Sequence, residues 1–120
     1  MKLEIKHTTA IDDLKKQFSR YYPFLKLEFY KTAHKEGEGS VKADLIKEDI
    51  LLDEIRTKEN IGIFEITPET TVSEVEQGFE DKFGIHVQVF RKSRGLWLET
   101  TTTDTWTLNE QNKTGEEMES

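Results

Sequence analysis

The chain has 120 residues, 34% of them hydrophobic and 34% charged, and a net charge of −7, which fits one globular domain. It contains no cysteine, and this excludes disulfides, thiolate catalysis and cysteine-ligated zinc. No apolar stretch reaches the roughly 18 to 20 residues of a membrane-spanning helix, and the first residues lack the apolar run of a secretory signal. We therefore expect a cytoplasmic protein with no membrane partner.

The first half of the chain predicts a strand over residues 3–5, a helix, and a second strand over residues 25–30. The helix has apolar residues three and four apart, which is one helical face. That face comprises Ile11, Leu14, Phe18 and either Tyr21 or Tyr22. Pro23 ends the helix, because the residue before a proline is pushed out of the helical conformation. A long turn, KTAHKEGEG, and a short helix over residues 51–58 follow.

The second half predicts the same order of elements. The segment IGIFEI (61–66) is apolar at nearly every position, which favours a central strand covered on both faces. Thr71 and Glu74 form a capping box for the next helix, and Gly84 suits the left-handed position that ends it. The apolar face of this helix comprises Val72, Val75, Phe79 and Phe83. A hairpin of strands 85–90 and 96–100 follows, and Thr107 with Glu110 could cap a last short helix.

A shift of 61 residues aligns the apolar positions of the two halves, for example Phe18 with Phe79 and Pro23 with Gly84. We therefore predict an α+β fold of two tandem, pseudo-symmetric β-α-β-β units, 1–58 and 61–112, in a single domain. The helices would pack on a mostly antiparallel or mixed sheet, and either one sheet or two small sheets satisfy the pattern. Residues 113–120 are polar and acidic, which predicts a disordered tail.

One part of the second half is similar to a known group. The run FGIHVQV (83–89) is preceded by TVSEVEQGFEDK and followed by Asp104-x-Trp106-Thr107-Leu108. It resembles a group of small, internally duplicated bacterial proteins of uncharacterised function. The resemblance is best over residues 61–112. It implies the duplicated fold, and it carries over no catalytic residue.

No pattern of side chains predicts catalysis. His7, His34 and His86 lack a second ligand at metal-binding spacing, and the helical carboxylates are spread over polar faces. The chain contains neither a nucleophile elbow nor a glycine-rich phosphate loop. We therefore expect no catalytic residue, no metal and no cofactor, although an enzyme site assembled only in three dimensions stays an alternative.

Basic residues flank both predicted hairpin turns. Lys31, with His34 and Lys35, flanks the first, and Arg91, Lys92 and Arg94 flank the second. These cations are candidate phosphate contacts, with Tyr30 and Phe90 available to stack on bases, so a binder of single-stranded nucleic acid or of a phosphate ligand is a second alternative. The acidic net charge argues against duplex nucleic acid as a partner.

The second hairpin also predicts an aromatic pair on its polar face. If Arg91 pairs with Leu96, then Phe90 lies opposite Trp97, on the same face as His86. Aromatic residues in a polar rim are typical interface anchors. The favoured interpretation is a non-catalytic protein-interaction module that binds a protein partner or itself. Its candidate surface comprises Phe90, Trp97, His86 and Tyr30. The alternative is that Trp106, Leu108 or the first hairpin covers the two rings.

Overall fold

A computed structural model describes residues 1–31 and 44–119 and confirms the α+β class. The elements follow one another as β1 (Lys2–Ile5), α1 (Ile11–Tyr21), β2 (Leu25–Tyr30), β3 (Gly62–Glu65), α2 (Val72–Phe83), β4 (His86–Ser93), β5 (Leu96–Glu99) and α3 (Leu108–Glu119). Short 3₁₀ turns occupy Leu52–Glu54 and Thr101–Thr103. The glycine-containing turn predicted after Lys31, with His34 and Lys35, lies outside the described residues.

In the described part of the chain the strands form two small antiparallel sheets. β1 pairs with β3, with Leu3 opposite Phe64. The second sheet has the order β2-β4-β5, with Leu27 opposite Val89. Strands that the sequence aligned with each other, β1 with β3 and β2 with β4, are thus neighbours, and the origin of the two halves by duplication stays a prediction.

The predicted apolar faces of α1 and α2 are buried in a common core with both sheets. Phe79 of α2 lies at its centre, where its ring centroid is 5.0 Å from that of Phe64 and 6.2 Å from that of Phe29. Tyr22, which directly follows α1, is buried in this core, whereas Tyr21, the last residue of α1, is exposed. No helix within the described residues has the length and the apolar character needed to cross a bilayer.

Local hydrogen bonds fix the start of α2 and α3 as the sequence predicts. The hydroxyl of Thr71 accepts the backbone N–H of Glu74, whose carboxylate accepts the N–H of Thr71 in return. Thr107 and Glu110 form the same reciprocal pair before α3. Gly84 ends α2 with a φ of 64°, in the left-handed region.

The expectation that residues 61–66 form a strand covered on both faces is wrong. Ile63 is 62% exposed, and Ile61 is exposed as well. The cause is the size of the sheet: within residues 1–31 and 44–119 β3 pairs with β1 alone, and only the face that carries Leu3 and Phe64 packs into the core. Ile63, opposite Glu4, therefore points away from the core.

The expected disordered tail is also wrong, because α3 continues to Glu119. The side chain of Asn112 accepts the backbone N–H of Phe24, and Glu119 accepts that of Gly95. Gly115 is buried against Phe24. The sequence gives little sign of this docking, since the helix meets the sheet largely through polar and small residues rather than an apolar stripe.

Candidate interaction surface

The hairpin β4-β5 has a different register from the one the sequence predicts. Its turn consists of Arg94 and Gly95 alone, with φ values of 52° and 80°, as in a type I′ turn. Lys92 therefore lies opposite Trp97, and Phe90 lies opposite Glu99. The shift is two residues, and side chains alternate with a period of two, so each residue keeps the face predicted for it.

The outer face of the β2-β4-β5 sheet contains a recess of about 310 Å³. We call it the aromatic recess. It is lined by Lys26, Glu28, Tyr30, Leu45, Phe90, Trp97 and Glu99. The rings of Phe90 and Trp97 are partly exposed. Neighbouring strands bring together three aromatic side chains, two carboxylates and one ammonium group that are far apart in the sequence.

The ammonium group of Lys26 lies over both rings of the aromatic recess. Its Nζ is 5.3 Å from the ring centroid of Phe90 and 5.0 Å from that of Trp97. The same Nζ is 3.6 Å from a carboxylate oxygen of Glu28. Lys92 places a second ammonium 5.3 Å from the ring of Trp97. Both distances from Lys26 lie within the range of cation–π attraction.

The structure separates the four predicted contact residues. Phe90 and Trp97 border the aromatic recess, but Tyr30 is only 2% exposed and cannot offer a free ring to a partner. His86 lies opposite Tyr30 and does not line the recess. The alternative that Trp106 covers the rings is wrong, because Trp106 stacks on Arg91, which points to the opposite, helix-covered face.

The predicted phosphate contacts do not converge. Arg91 donates from Nη1 to the side chain of Gln111 in α3, at 2.9 Å, and so takes part in packing the helix. Lys31 follows Tyr30, which lies opposite His86 at the start of β4. Lys92 and Arg94 lie near the other end of β4. Six residues of strand separate His86 from Lys92, a distance of roughly 20 Å. Two of the four adjoin aromatic rings on opposite faces of the sheet: Lys92 lies beside Trp97 in the aromatic recess, and Arg91 lies beside Trp106.

β5 forms the edge of its sheet next to the aromatic recess. Lys92 donates its backbone N–H to the carbonyl oxygen of Phe24, just before β2. Because the backbone of Lys92 therefore faces β2, Lys92 and Trp97 form no backbone hydrogen bonds with each other. The backbone N–H and C=O groups of Trp97 and Glu99 therefore point away from β4. β5 also has no lysine or proline, the residues that commonly protect an edge, and Leu96 and Leu98 are exposed.

A polar cluster that the sequence did not predict lies at the other sheet. His7 Nδ1 is 3.0 Å from Oδ2 of Asp53, and Nη2 of Arg56 donates to Oδ1 of the same carboxylate at 2.6 Å. The side chain of Arg56 is almost fully buried and donates to the carbonyl of Asn60. No local signal could have found this cluster, since 46 residues separate His7 from Asp53.

The contacts of this cluster stabilise the local fold. His7 lines a second recess, of about 470 Å³, together with Ile61 and Ile63. His86 lies in the other sheet, so the two histidines do not share a site. Within the ranges 1–31 and 44–119, no group of three or more histidine, aspartate or glutamate side chains is placed to hold a metal ion. Arg56, bound to Asp53 and Asn60, holds the chain that leads into β3.

Comparison with models of known protein families, with characterised proteins and with solved structures found no match for this chain. Among the described residues, the aromatic recess and the adjoining edge of β5 combine two partly exposed aromatic rings with backbone groups that point away from their own sheet.

Proposed function

We propose that this protein is a cytoplasmic, non-catalytic interaction module that binds a protein partner through the aromatic recess. The observation that carries the proposal is the position of Phe90 and Trp97. Both rings are partly exposed on a polar face and border a concave site. Large aromatic side chains with a polar rim are the usual anchors of protein interfaces, and a recess gives such an anchor a complementary shape.

The surroundings of Trp97 support a binding role over a role in stability. Its ring lies beside the ammonium groups of Lys26 and Lys92, and among the described residues it is not part of the core cluster that contains Phe79. We expect Trp97→Ala to lower the free energy of unfolding by under about 1 kcal/mol, as for surface positions, rather than the ~3 to 5 kcal/mol typical of a buried aromatic residue.

The test combines stability with partner capture. Wild type, Trp97→Ala and Ile63→Ala are each cross-linked in cell extract and their adducts are compared, with thermal unfolding measured on the same samples. Ile63 is the control because it is an exposed apolar residue on the other sheet. We expect Trp97→Ala alone to lose the adduct while its melting temperature stays close to that of wild type. An unchanged adduct, or a core-sized loss of stability, would contradict the proposal.

Single-stranded nucleic acid, or another phosphate ligand, is the second candidate. One observation favours it: Lys26 and Lys92 both lie beside Trp97, which could stack on a base. The distance between Lys31 and the turn at Arg94 weighs against it. Retention on an immobilised oligothymidine that falls steeply with salt, and falls further in Trp97→Ala, would favour this candidate over a protein partner.

A further inference from the structure

The aromatic recess already contains a cation of the protein itself. Lys26 Nζ lies over two rings, Phe90 and Trp97, and the carboxylates of Glu28 and Glu99 line the same space. Ring faces and carboxylates both attract an organic cation. Lys26 therefore fills the recess with a cation of the chain itself, beside both rings and 3.6 Å from the Glu28 carboxylate, which Lys15 also approaches to 3.4 Å.

The ammonium group of Lys26 can leave the aromatic recess. The side chain of Lys26 is 30% exposed, and a lysine has a long flexible stem that can carry its ammonium group into water. Its attraction to partly exposed rings is weak. A cation brought by a partner could therefore replace it at little cost, provided that the partner also forms contacts that Lys26 cannot form.

The edge of β5 supplies those additional contacts. The outward backbone groups of Trp97 and Glu99 can pair with an extended segment, as in peptide recognition by strand addition. Residues of the added strand that lie opposite Trp97 or Glu99 would point to the same face as the aromatic recess, because side chains directly opposite in a ladder share a face. One such side chain would lie beside the recess.

The net charge of the protein favours a basic partner segment. The net charge is −7, and residues 61–120 contain 5 basic and 12 acidic side chains. Such a chain attracts basic partners and repels a second copy of itself. Building on the proposed function, we propose that an extended lysine- or arginine-rich segment of a partner protein pairs with the edge of β5. It places one cationic side chain in the aromatic recess, in place of Lys26.

The test uses the full ¹⁵N-labelled chain and acetylated, amidated hexapeptides. The probe alternates threonine and lysine, and the matched control alternates threonine and glutamate. The lysine peptide should shift the indole signal of Trp97 and the amide signals of β5, but not the indole signal of Trp106, on the opposite face. A version of the peptide with N-methylated backbone should bind more weakly, since it cannot donate to the strand edge.

Two variants determine the sign of the charge effect. Lys26→Gln should tighten binding of the lysine peptide by about two- to fivefold, because the internal competitor is gone. Glu99→Gln should weaken it. Lys16→Gln and Glu65→Gln are matched controls: both residues are exposed, lie away from the recess, and change the net charge by the same amount. The controls measure how much of each effect comes from net charge alone.

Three results would overturn the inference. The first is that neither peptide moves the Trp97 signal. The second is that the glutamate peptide binds better and Lys26→Gln weakens binding, which would assign an acidic ligand instead. The third is that the matched controls change affinity as much as the recess variants, which would show non-specific attraction. In each case the cross-linking experiment with Trp97→Ala still decides the proposed function separately.

Discussion

The substitution Gly115→Ala tests whether α3 docks on the sheet. Gly115 is buried in α3, and a Cβ atom there would lie 2.7 Å from Phe24 Cβ, 3.2 Å from the Phe24 carbonyl oxygen and 3.3 Å from Arg91 Cγ. The first two neighbours belong to the backbone or lie next to it, so they cannot swing away. The helix would have to move from the sheet by a few tenths of an ångström or more.

Two opposing effects set the magnitude. Alanine stabilises a helix interior by about 0.8 to 1.0 kcal/mol relative to glycine. Overpacking a close contact costs about 1 to 3 kcal/mol. For a docked helix we expect a net loss of about 1 kcal/mol, which lowers the melting temperature of a domain of this size by about 4 °C. An undocked helix would gain stability instead, and a disordered segment would show almost no change.

Thermal unfolding followed by circular dichroism measures the sign directly. Lys113→Ala is the matched control, because Lys113 is exposed in the same helix and its loss should change the free energy of unfolding by no more than about 0.5 kcal/mol. Removal of the residues after Asn112 should lower the melting temperature as well, since it deletes the bond from Gly95 to Glu119. A higher melting temperature for Gly115→Ala would refute the docked arrangement.

Three further predictions concern the core, a helix cap and a buried phenol. Phe79→Ala should cost about 3 to 5 kcal/mol in urea unfolding, because its ring is fully buried against Phe64; a loss below 1 kcal/mol would contradict this packing. Thr71→Ala should cost about 1 kcal/mol, since it removes the acceptor for the N–H of Glu74, whereas Thr71→Ser should restore most of the stability. Burial, together with Glu69 and Tyr21, raises the pKa of Tyr22 above its usual value of about 10, so the folded state favours the protonated phenol. This contribution to the free energy of unfolding is fully present below a pH of about 10 and is lost as the pH rises through the raised pKa of Tyr22. Tyr22→Phe should therefore reduce the fall of the unfolding free energy at alkaline pH, and an unchanged slope with pH would refute the assignment.

Part of the fold follows from the sequence because it depends on neighbours a few residues apart. The apolar spacing in α1 and α2 predicts their buried faces, and the pairs Thr71–Glu74 and Thr107–Glu110 predict where α2 and α3 begin. Gly84 predicts the end of α2 in the same way. The face of each residue in β4 and β5 was also predictable, since alternation is a local property and survives a register shift of two.

By itself, then, the sequence determined the α+β class, the helix faces, the caps and the presence of two aromatic residues on a polar strand face. Only the tertiary structure decided that Arg91 packs against α3, that α3 docks through a glycine, and that Lys26 lies over Phe90 and Trp97. These contacts join residues far apart in the chain, and their partners are chosen by sheet pairing and shape. No local pattern encodes that choice, because the same side chains would satisfy their local preferences with other partners.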